Sequence, residues 1–365
     1  HRSGIDKLAP PPQGSFLEFL FRIYLTETAV INRRDCLAAA FAIDAPLHER
    51  LVNGLITMAC IPLTKKHIDS IGSAPNFIRP QSYSEKMQSR KLFDRNPLLR
   101  IFCDKLATRN YITSRGFGEL LTPLVWSGAS AKDIPFDDLS PPYIIKPSQQ
   151  SGHCFVVWPG EQVDRQQIRN QLELLLSAPH GVKLREWGYA SADPQILIEQ
   201  LLPGKQGAPF PHDYRVTVFS GEVESIRVIS RKQNGGVLGS QFSADWEPLD
   251  QANWVGYQPW ARRWIERHVN GDTALVKPRF LDKMVETAKA LSGKIDHLRV
   301  DFYETDEQLF LGELTPYHGS GHMLLFAPDA DYRDFPPRSI DYRRGELWEQ
   351  PHWPLWQKLW RAWVG

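Results

Sequence analysis

The sequence predicts an α+β (or α/β) protein built around antiparallel sheets, and three patterns support this class. Residues 213–232 alternate apolar and polar side chains on both sides of a Ser-Gly turn, as a hairpin does. Residues 296–315 show a second hairpin pattern. Residues 141–160 form a strand, a loop of small residues and another strand. Single helices lie between these units, so antiparallel pairing is favoured.

The first part of the chain is predicted to be helical. Helical periodicity extends from residue 16 to about residue 70, without recognisable chemistry. Ser82 or Ser84 can cap the next helix, and Asp104 can cap another that ends near Gly116.

The remaining elements follow from local patterns. Strands are predicted in the segments LLTPLVWSG and PQILIEQLLPG. Helices are predicted in the segments DRQQIRNQLELLLSA, which is amphipathic, and FLDKMVETAKALSG, which ends at Gly293. We divide the chain into a helical region (1–75), two lobes (76–200 and 201–330) and a tail (331–365).

Composition excludes several classes. Lys and Arg number 43 against 42 Asp and Glu, so no excess charge favours nucleic acid as a partner. The four cysteines are widely spaced and lack a C-x-x-C pair, which favours a reducing, cytoplasmic location over a zinc site or a disulfide framework. We also expect no signal peptide, a disordered Pro/Gly-rich segment at 1–15 and no span of a bilayer.

The second hairpin carries charges that an interior strand pair must neutralise. With the turn placed within residues 304–308, Asp301 is expected to face Leu311, and Arg299 is expected to face Glu313.

Two interpretations of this hairpin remain open. Asp301, Glu313 and the hydroxyl of Thr315 can share one face and form a hard-oxygen site for Mg²⁺. Alternatively, Arg299 and Glu313 form a plain cross-strand salt bridge and Asp301 is exposed.

A magnesium site of this kind needs a nucleotide. Lys146 ends a predicted strand and precedes a small-residue loop at 147–153, whose backbone N–H groups can lie over phosphates. Glu199 ends another apolar strand, where a carboxylate and backbone can bind an adenine edge. The alternatives are a solvated strand end for Lys146, an ordinary turn for the loop and an exposed strand terminus for Glu199.

Five segments, taken in order, resemble the ATP-grasp superfamily: DKLATRNYI, YIIKPSQQSG, ILIEQLLPG, DYRVTVFSGEV and RVDFY…GELTPYHGSG. The D-alanine–D-alanine ligases have a similar progression of D-K, I-K-P-S, E-x-x-L and R-x-D…E-x-N. The segments SYSEKMQSRKLFDRNPLL, LREWGYASADPQILIEQLL and GELT resemble the TupA-like branch, which is named for teichuronopeptide biosynthesis. The similarity covers roughly residues 75–330 and implies an ATP-grasp fold, in which two antiparallel-sheet lobes grip ATP.

The resemblance implies ATP and Mg²⁺ as cofactors and assigns nucleotide contacts. Phosphates would be neutralised by Lys105 and Lys146, beneath a loop formed by Ser148, Gln149, Ser151 and Gly152. Adenine would be held by Glu199, Leu201 and Leu202, and the ribose would lie near Asp213.

The resemblance also implies roles for the residues around the γ-phosphate and the metal. Arg215 and Arg231 would lie near the γ-phosphate, and Arg299 would stabilise the transferred phosphoryl group or an oxyanion. Asp301 and Glu313 would bind the metal. The superfamily's usual third ligand, an Asn, is replaced here by Thr315, whose hydroxyl reaches less far. His318 and His322 are candidates for substrate contacts.

The tail concentrates five tryptophans in its last eighteen residues, at 348, 353, 356, 360 and 363. Three interpretations stay open: a helix packed on the domain, an interfacial helix that places the protein peripherally at the inner face of the membrane, or aromatic stacking on sugar rings.

Three functions are compatible with these residues. The preferred one is an ADP-forming carboxylate–amine ligase in surface-polysaccharide or peptidic-polymer biosynthesis, with small-molecule or glycan substrates. The others are a kinase for a sugar or another hydroxyl, and a nucleotide- or glycan-binding protein without turnover. The sequence indicates neither the substrates nor the oligomeric state.

Overall fold

The computed structural model describes residues 33–249 and 275–322, apart from residues 44, 81, 178–180, 182–183, 190–192, 232–236 and 294. The predictions for the first fifteen residues and for the tryptophan-rich tail lie outside the described residues.

Helices form the first part of the described chain: the periodicity predicts the three that end by residue 71, the capping serine predicts the fourth, and the fifth was not predicted. They are α1 (Arg33–Phe41), α2 (Leu47–Ala59), α3 (Ile61–Ile71), α4 (Tyr83–Phe93) and α5 (Pro97–Phe102). Ser82 caps α4: its hydroxyl accepts from the N–H of Glu85, and the Glu85 carboxylate accepts from the N–H of Ser82. This reciprocal capping box fixes the start of the helix.

A four-stranded antiparallel sheet forms the first lobe. Its strands are β1 (Leu124–Gly128), β2 (Tyr143–Pro147), β3 (Phe155–Val157) and β4 (Ile196–Gln200), in the spatial order β1-β4-β2-β3. Helix α7 (Arg165–Ser177) covers one face of this sheet, where Ile168 and Leu172 are buried in the lobe's core.

A five-stranded antiparallel sheet forms the second lobe. Its strands are β5 (His212–Phe219), β6 (Glu222–Arg231), β7 (Val237–Phe242), β8 (His297–Glu304) and β9 (Leu309–Thr315), in the order β7-β6-β5-β8-β9. Helix α8 (Leu281–Ser292) packs on its apolar face through Met284, Ala288 and Leu291. The opposite face carries a set of charged residues that face the other lobe: Asp213, Arg215, Arg227, Arg299, Asp301 and Glu313.

Helix α6 (Lys105–Ser114) connects the two sheets. Asp104 caps it as predicted, because its carboxylate accepts from the N–H groups of Leu106 and Ala107. Ile112 is buried in the core of the five-stranded sheet. The N–H of Lys105 donates to the carbonyl of Ser148 at the end of β2, at 2.9 Å. One short helix therefore contacts both lobes.

The expected register of the second hairpin is wrong, although the turn lies at 305–308 as predicted. Asp301 lies opposite Glu313, and Arg299 lies opposite Thr315. The pairs nearer the turn have a different register because the ladder shifts between Asp301 and Phe302, which faces Leu311. Gly312 is the extra residue of this β-bulge. The bulge therefore sets the two carboxylates directly across from each other.

The described helices include none that is both long and apolar enough to cross a membrane.

Candidate active site

A cleft of about 760 Å³ lies between the two sheets. Both of them, together with α6 and the loops at 148–154 and 316–319, supply its walls. Its titratable lining side chains comprise Lys105, Lys146, His153, Cys154, Glu199, Asp213, Arg215, Arg227, Arg299, Asp301, Tyr303, Glu313 and His318. Charged groups from separate parts of the chain thus meet in one concave space, as expected for a binding site.

Glu199 is held between two cations at the end of β4. Its carboxylate accepts from Lys146 Nζ and from Arg109, each at 2.8 Å. Arg109 also donates to the carbonyl of Thr122 at 2.8 Å. Because Glu199 is only 8% exposed, the alternative of an exposed strand terminus is wrong.

Lys105 lies at the start of α6, at the floor of the cleft. Its Nζ donates to the carbonyl of Gln150 at 2.6 Å. Burial lowers the pKa of Lys105, and the nearby Glu313 acts in the opposite direction. The lysine therefore contacts the loop after β2 in one lobe and lies within electrostatic range of Glu313 in the other.

Asp301 and Glu313 form the acidic pair of the cleft. Arg299 donates two hydrogen bonds of 2.6 Å to Asp301. Burial raises the pKa of Asp301 to about 6, opposed by Arg299 and supported by Asp213. At 4% exposure Asp301 is buried, so the alternative in which it is exposed and Arg299 pairs only with Glu313 is wrong.

Glu313 differs from Asp301 in its surroundings. Burial acts to raise its pKa, but Lys105, Arg299 and the Thr315 hydroxyl together bring it below its ordinary value. Thr315 donates to Glu313 Oε1 at 2.9 Å. Thr315, the predicted third metal ligand, is therefore already hydrogen-bonded to Glu313, the second.

The acidic pair fits Mg²⁺ by its chemistry. Two opposed carboxylates are hard-oxygen donors, and a divalent cation would stabilise the charged form of Asp301, which burial now disfavours. Asp213 Oδ1, buried on the next strand, has no hydrogen-bond partner among the described residues. The described residues hold no group of three His, Cys, Asp or Glu side chains suited to a metal. Phosphate oxygens and water would have to complete the coordination.

The predicted phosphate loop divides into two parts. Ser151 and Gly152 line the cleft, and Gly152 has a left-handed φ of 77°. Ser148 and Gln149 do not line it, because they are buried in structural contacts. The Ser148 hydroxyl accepts from the N–H of Gln195 at 3.0 Å, and the Gln149 amide donates to Asp104 at 3.0 Å.

The other predicted residues occupy mixed positions. Leu201, Leu202, Asp213, Arg215 and His318 line the cleft. In contrast, the cleft lining does not include His322, whose ring centroid lies 6.5 Å from that of His67 in the helical region. Arg231 ends β6 opposite Val237, and its side chain lies outside what the structure describes.

Two arginines were missed from the sequence: Arg227, which lines the cleft, and Arg109, which pairs with the cleft residue Glu199. Arg109 lies one turn after Lys105 on α6, and its partner Glu199 is 90 residues away. Arg227 lies opposite Arg215 on β6. The alternation of the first hairpin offered a signal for Arg227, because it places residues 227 and 231 on one face. No local sequence pattern indicated that Arg109 belongs to the site.

Two antiparallel sheets that face a common cleft, with lysines on one side and an acidic pair on the other, form the arrangement that the sequence predicts for an ATP-grasp fold. The chain belongs to the TupA-like ATP-grasp family, whose model matches residues 85–333. This match confirms the predicted superfamily, branch and fold. No curated protein sequence matches the chain.

Solved structures show distant similarity. The D-alanine–D-alanine ligase of Bacillus anthracis is 18% identical at a TM-score of 0.32, with 59% of this chain and 57% of that chain covered. The L-amino acid ligase of Bacillus licheniformis is 14% identical at 0.35, with 60% and 44% covered. The ATP-grasp ligase PsnB, complexed with a precursor variant, Mg and ADP, is 12% identical at 0.34, with 74% and 61% covered. The chain spans less than two thirds of the length of each.

Proposed function

We propose that the protein is an ATP- and Mg²⁺-dependent, ADP-forming ligase that joins a carboxylate to an amine through an acyl phosphate. Family membership supports ATP-dependent ligase chemistry in general. The observation that carries the finer proposal is the opposed pair Asp301 and Glu313, with Arg299 beside it and Lys105 across the cleft. The proposal includes a role in surface-polysaccharide or peptidic-polymer biosynthesis.

In this reaction a carboxylate oxygen of the substrate attacks the γ-phosphorus and ADP leaves. The amine then attacks the acyl carbon, loses a proton and displaces inorganic phosphate. Catalysis of this kind depends on positioning and charge neutralisation. Lys105 and Lys146 would offset phosphate charge, Asp301 and Glu313 would hold Mg²⁺, and Arg299 would face the charge that develops on the transferred group.

Hydroxylamine trapping tests the proposal. Purified protein is incubated with ATP, Mg²⁺ and a panel of carboxylates, with hydroxylamine in place of the amine. We expect a hydroxamate to form together with ADP and phosphate for at least one acid. D301N, which removes one metal-binding carboxylate, should abolish this product, and R165Q, on the exposed side of α7, should not.

Two outcomes would contradict the proposal. ADP accompanied by a stable phosphorylated product and no hydroxamate would indicate a kinase. Hydroxamate formation that survives D301N unchanged would exclude the assigned metal site.

A further inference from the structure

Helix α2 presents its apolar side to solvent. Leu47, Leu51, Leu55 and Met58 recur at helical spacing, and each of them is between 47% and 68% exposed. A helix on the surface of a domain normally turns such a stripe toward the core. Four side chains exposed to this degree amount to a few hundred Å² of contiguous apolar surface, the size at which a patch marks an interaction site.

The opposite side of α2 is polar and fixed, so the helix cannot rotate to bury this apolar stripe. Asn53 is fully buried: its side-chain amide donates to the carbonyl of Pro75 at 3.1 Å, and its side-chain oxygen accepts from the N–H of Phe77 at 2.9 Å. The buried Glu49 pairs with Arg79 at 2.9 Å. Rotation would leave these buried polar groups unsatisfied, which is costly. The stripe is therefore held outward.

The last described residues lie against the N-terminal helices. The carbonyls of Ser320 and Gly321 accept from Gln88 on α4, each at 3.2 Å, and the ring centroid of His322 lies 6.5 Å from that of His67 on α3. Helix α3 follows α2 after a single residue. The chain that continues from His322 thus starts beside these helices. The 25 residues before the first tail tryptophan can span up to about 80 Å, so the tail can reach α2.

The tail matches the stripe in pattern and length. Four of its tryptophans, at 353, 356, 360 and 363, are spaced by three and four residues, as one face of a helix requires, and Lys358 lies on the opposite side. At 1.5 Å per residue this face is about 15 Å long, and the stripe from Leu47 to Met58 is about 16 Å long. Both segments lie outside residues 85–333, so the part matched by the family model accounts for neither.

The size of the stripe favours a tethered segment over a second folded copy. A stable interface between two proteins buries about 800 Å² on each partner, which is more than α2 offers. A segment of the same chain needs less contact area, because the linker keeps its effective concentration high.

We propose that the tryptophan-rich tail forms a helix that packs on α2 of the same chain, with the tryptophans at 353, 356, 360 and 363 against Leu47, Leu51, Leu55 and Met58. The charged side of the tail then faces solvent. This interface is separate from the cleft, and it does not depend on the proposed ligase activity.

Hydrogen–deuterium exchange of the full chain, followed by mass spectrometry, tests this docking. The variant L51E/L55E places two carboxylates in the middle of the stripe, at positions that are already exposed. We expect the backbone amides of residues 353–363 to exchange at least tenfold faster in this variant than in the wild type. L174E changes a leucine on α7 that is 69% exposed, and it should leave exchange in the tail unchanged.

A reciprocal variant separates docking from a folding defect. W356E/W360E leaves α2 and its buried contacts intact, and it should raise the exchange of residues 47–59 severalfold. Damage that the two glutamates cause to the helices cannot produce this second result. Exchange at 47–59 that is the same in W356E/W360E and the wild type would contradict the proposal.

Other occupants of the stripe give different outcomes. Unchanged tail exchange in L51E/L55E would overturn the docking, and faster exchange confined to residues 16–32 would assign the stripe to the segment before α1. Loss of a wild-type dimer in L51E/L55E, measured by light scattering, would assign it to a second copy. Loss of binding to vesicles of phosphatidylglycerol and phosphatidylcholine would assign it to a membrane surface. Each of these results would replace the tail as the partner of α2.

Discussion

Asp301 and Glu313 are the same type of acid on facing strands, yet their surroundings move their pKa values in opposite directions. Burial raises both pKa values, but at Glu313 it is outweighed by Lys105, two arginines and the Thr315 hydroxyl acting together. Glu313 is therefore charged over the whole neutral range, whereas Asp301 titrates close to neutral pH.

This difference predicts a pH dependence for metal binding. Asp301, whose pKa is about 6, is protonated below that value and then cannot serve as a ligand. Affinity for Mn²⁺, used as a spectroscopic substitute for Mg²⁺, should rise about tenfold per pH unit up to pH 6 and level off above it. Electron paramagnetic resonance of free Mn²⁺ without nucleotide measures this affinity.

The control for this titration is D301N, which has no group to titrate at that position. Its weaker affinity should vary much less between pH 5 and 7. A wild-type affinity that stays constant across that interval would show that Asp301 is not a metal ligand, or that it is ionised throughout.

At the scale of elements, the bulge in β9 determines the geometry of the acidic pair. A Cβ added at Gly312 would lie 2.4 Å from Cε2 of the Tyr303 ring. G312A therefore forces the ring or the strand to move, and we expect a loss of about 1–3 kcal/mol of stability. Because the strand carries Glu313, metal-dependent ADP formation should fall by at least tenfold. Urea unfolding and initial rates measure the two effects.

The double variant G312A/Y303L tests the cause. Leucine lacks the ring that the new methyl group meets, so it should restore part of the activity lost in G312A. Additive losses in the double variant would show that the glycine is needed for another reason.

Helix α4 supports the loop that forms one wall of the cleft. Its buried side chains donate to carbonyls of the loop after β9: Tyr83 to His318 at 2.8 Å, Gln88 to Ser320 and Gly321 at 3.2 Å each, and Arg90 to Pro316 at 2.8 Å. Such bonds satisfy a loop that has no ladder partner. They hold the cleft wall that includes His318.

The sequence predicts most of the elements, though not α5 or β7, and it predicts the register of the second hairpin wrongly. Capping residues such as Ser82 and Asp104 act within a few positions, so local rules find them. The partner of Asp301 lies two residues from the predicted one: the pairing next to the turn, Glu304 with Leu309, accounts for one residue, and the bulge, whose local signal was the isolated Gly312, accounts for the other. The pairing of Arg109 with Glu199 joins α6 to β4, and only the folded chain brings these residues together. The predicted domain boundaries stay predictions.

At the scale of the whole molecule, the nucleotide is expected to bridge two separate sheets. A ligand that contacts both lobes stabilises the folded chain by about 2.7 kcal/mol at a hundred times its dissociation constant. ADP with Mg²⁺ should therefore raise the melting temperature by a few degrees. Differential scanning fluorimetry measures this shift across a titration of the nucleotide.

The matched variants are K146M and K132M. Lys146 lines the cleft and pairs with Glu199, so its loss should reduce the shift by more than half. Lys132 lies in an exposed turn outside the cleft, and its variant should respond as the wild type does. Equal shifts in both variants would contradict the assigned nucleotide position.

The hydrogen bond from Thr315 to Glu313 has a consequence for the choice between metal ions. With one lone pair of Oε1 engaged by the hydroxyl at 2.9 Å, Glu313 is less suited to bind a metal ion through both of its oxygens. Ca²⁺ takes six to eight ligands and uses bidentate carboxylates, whereas Mg²⁺ prefers an octahedron that retains several waters. A single threonine hydroxyl would thus disfavour the larger ion, without itself coordinating either.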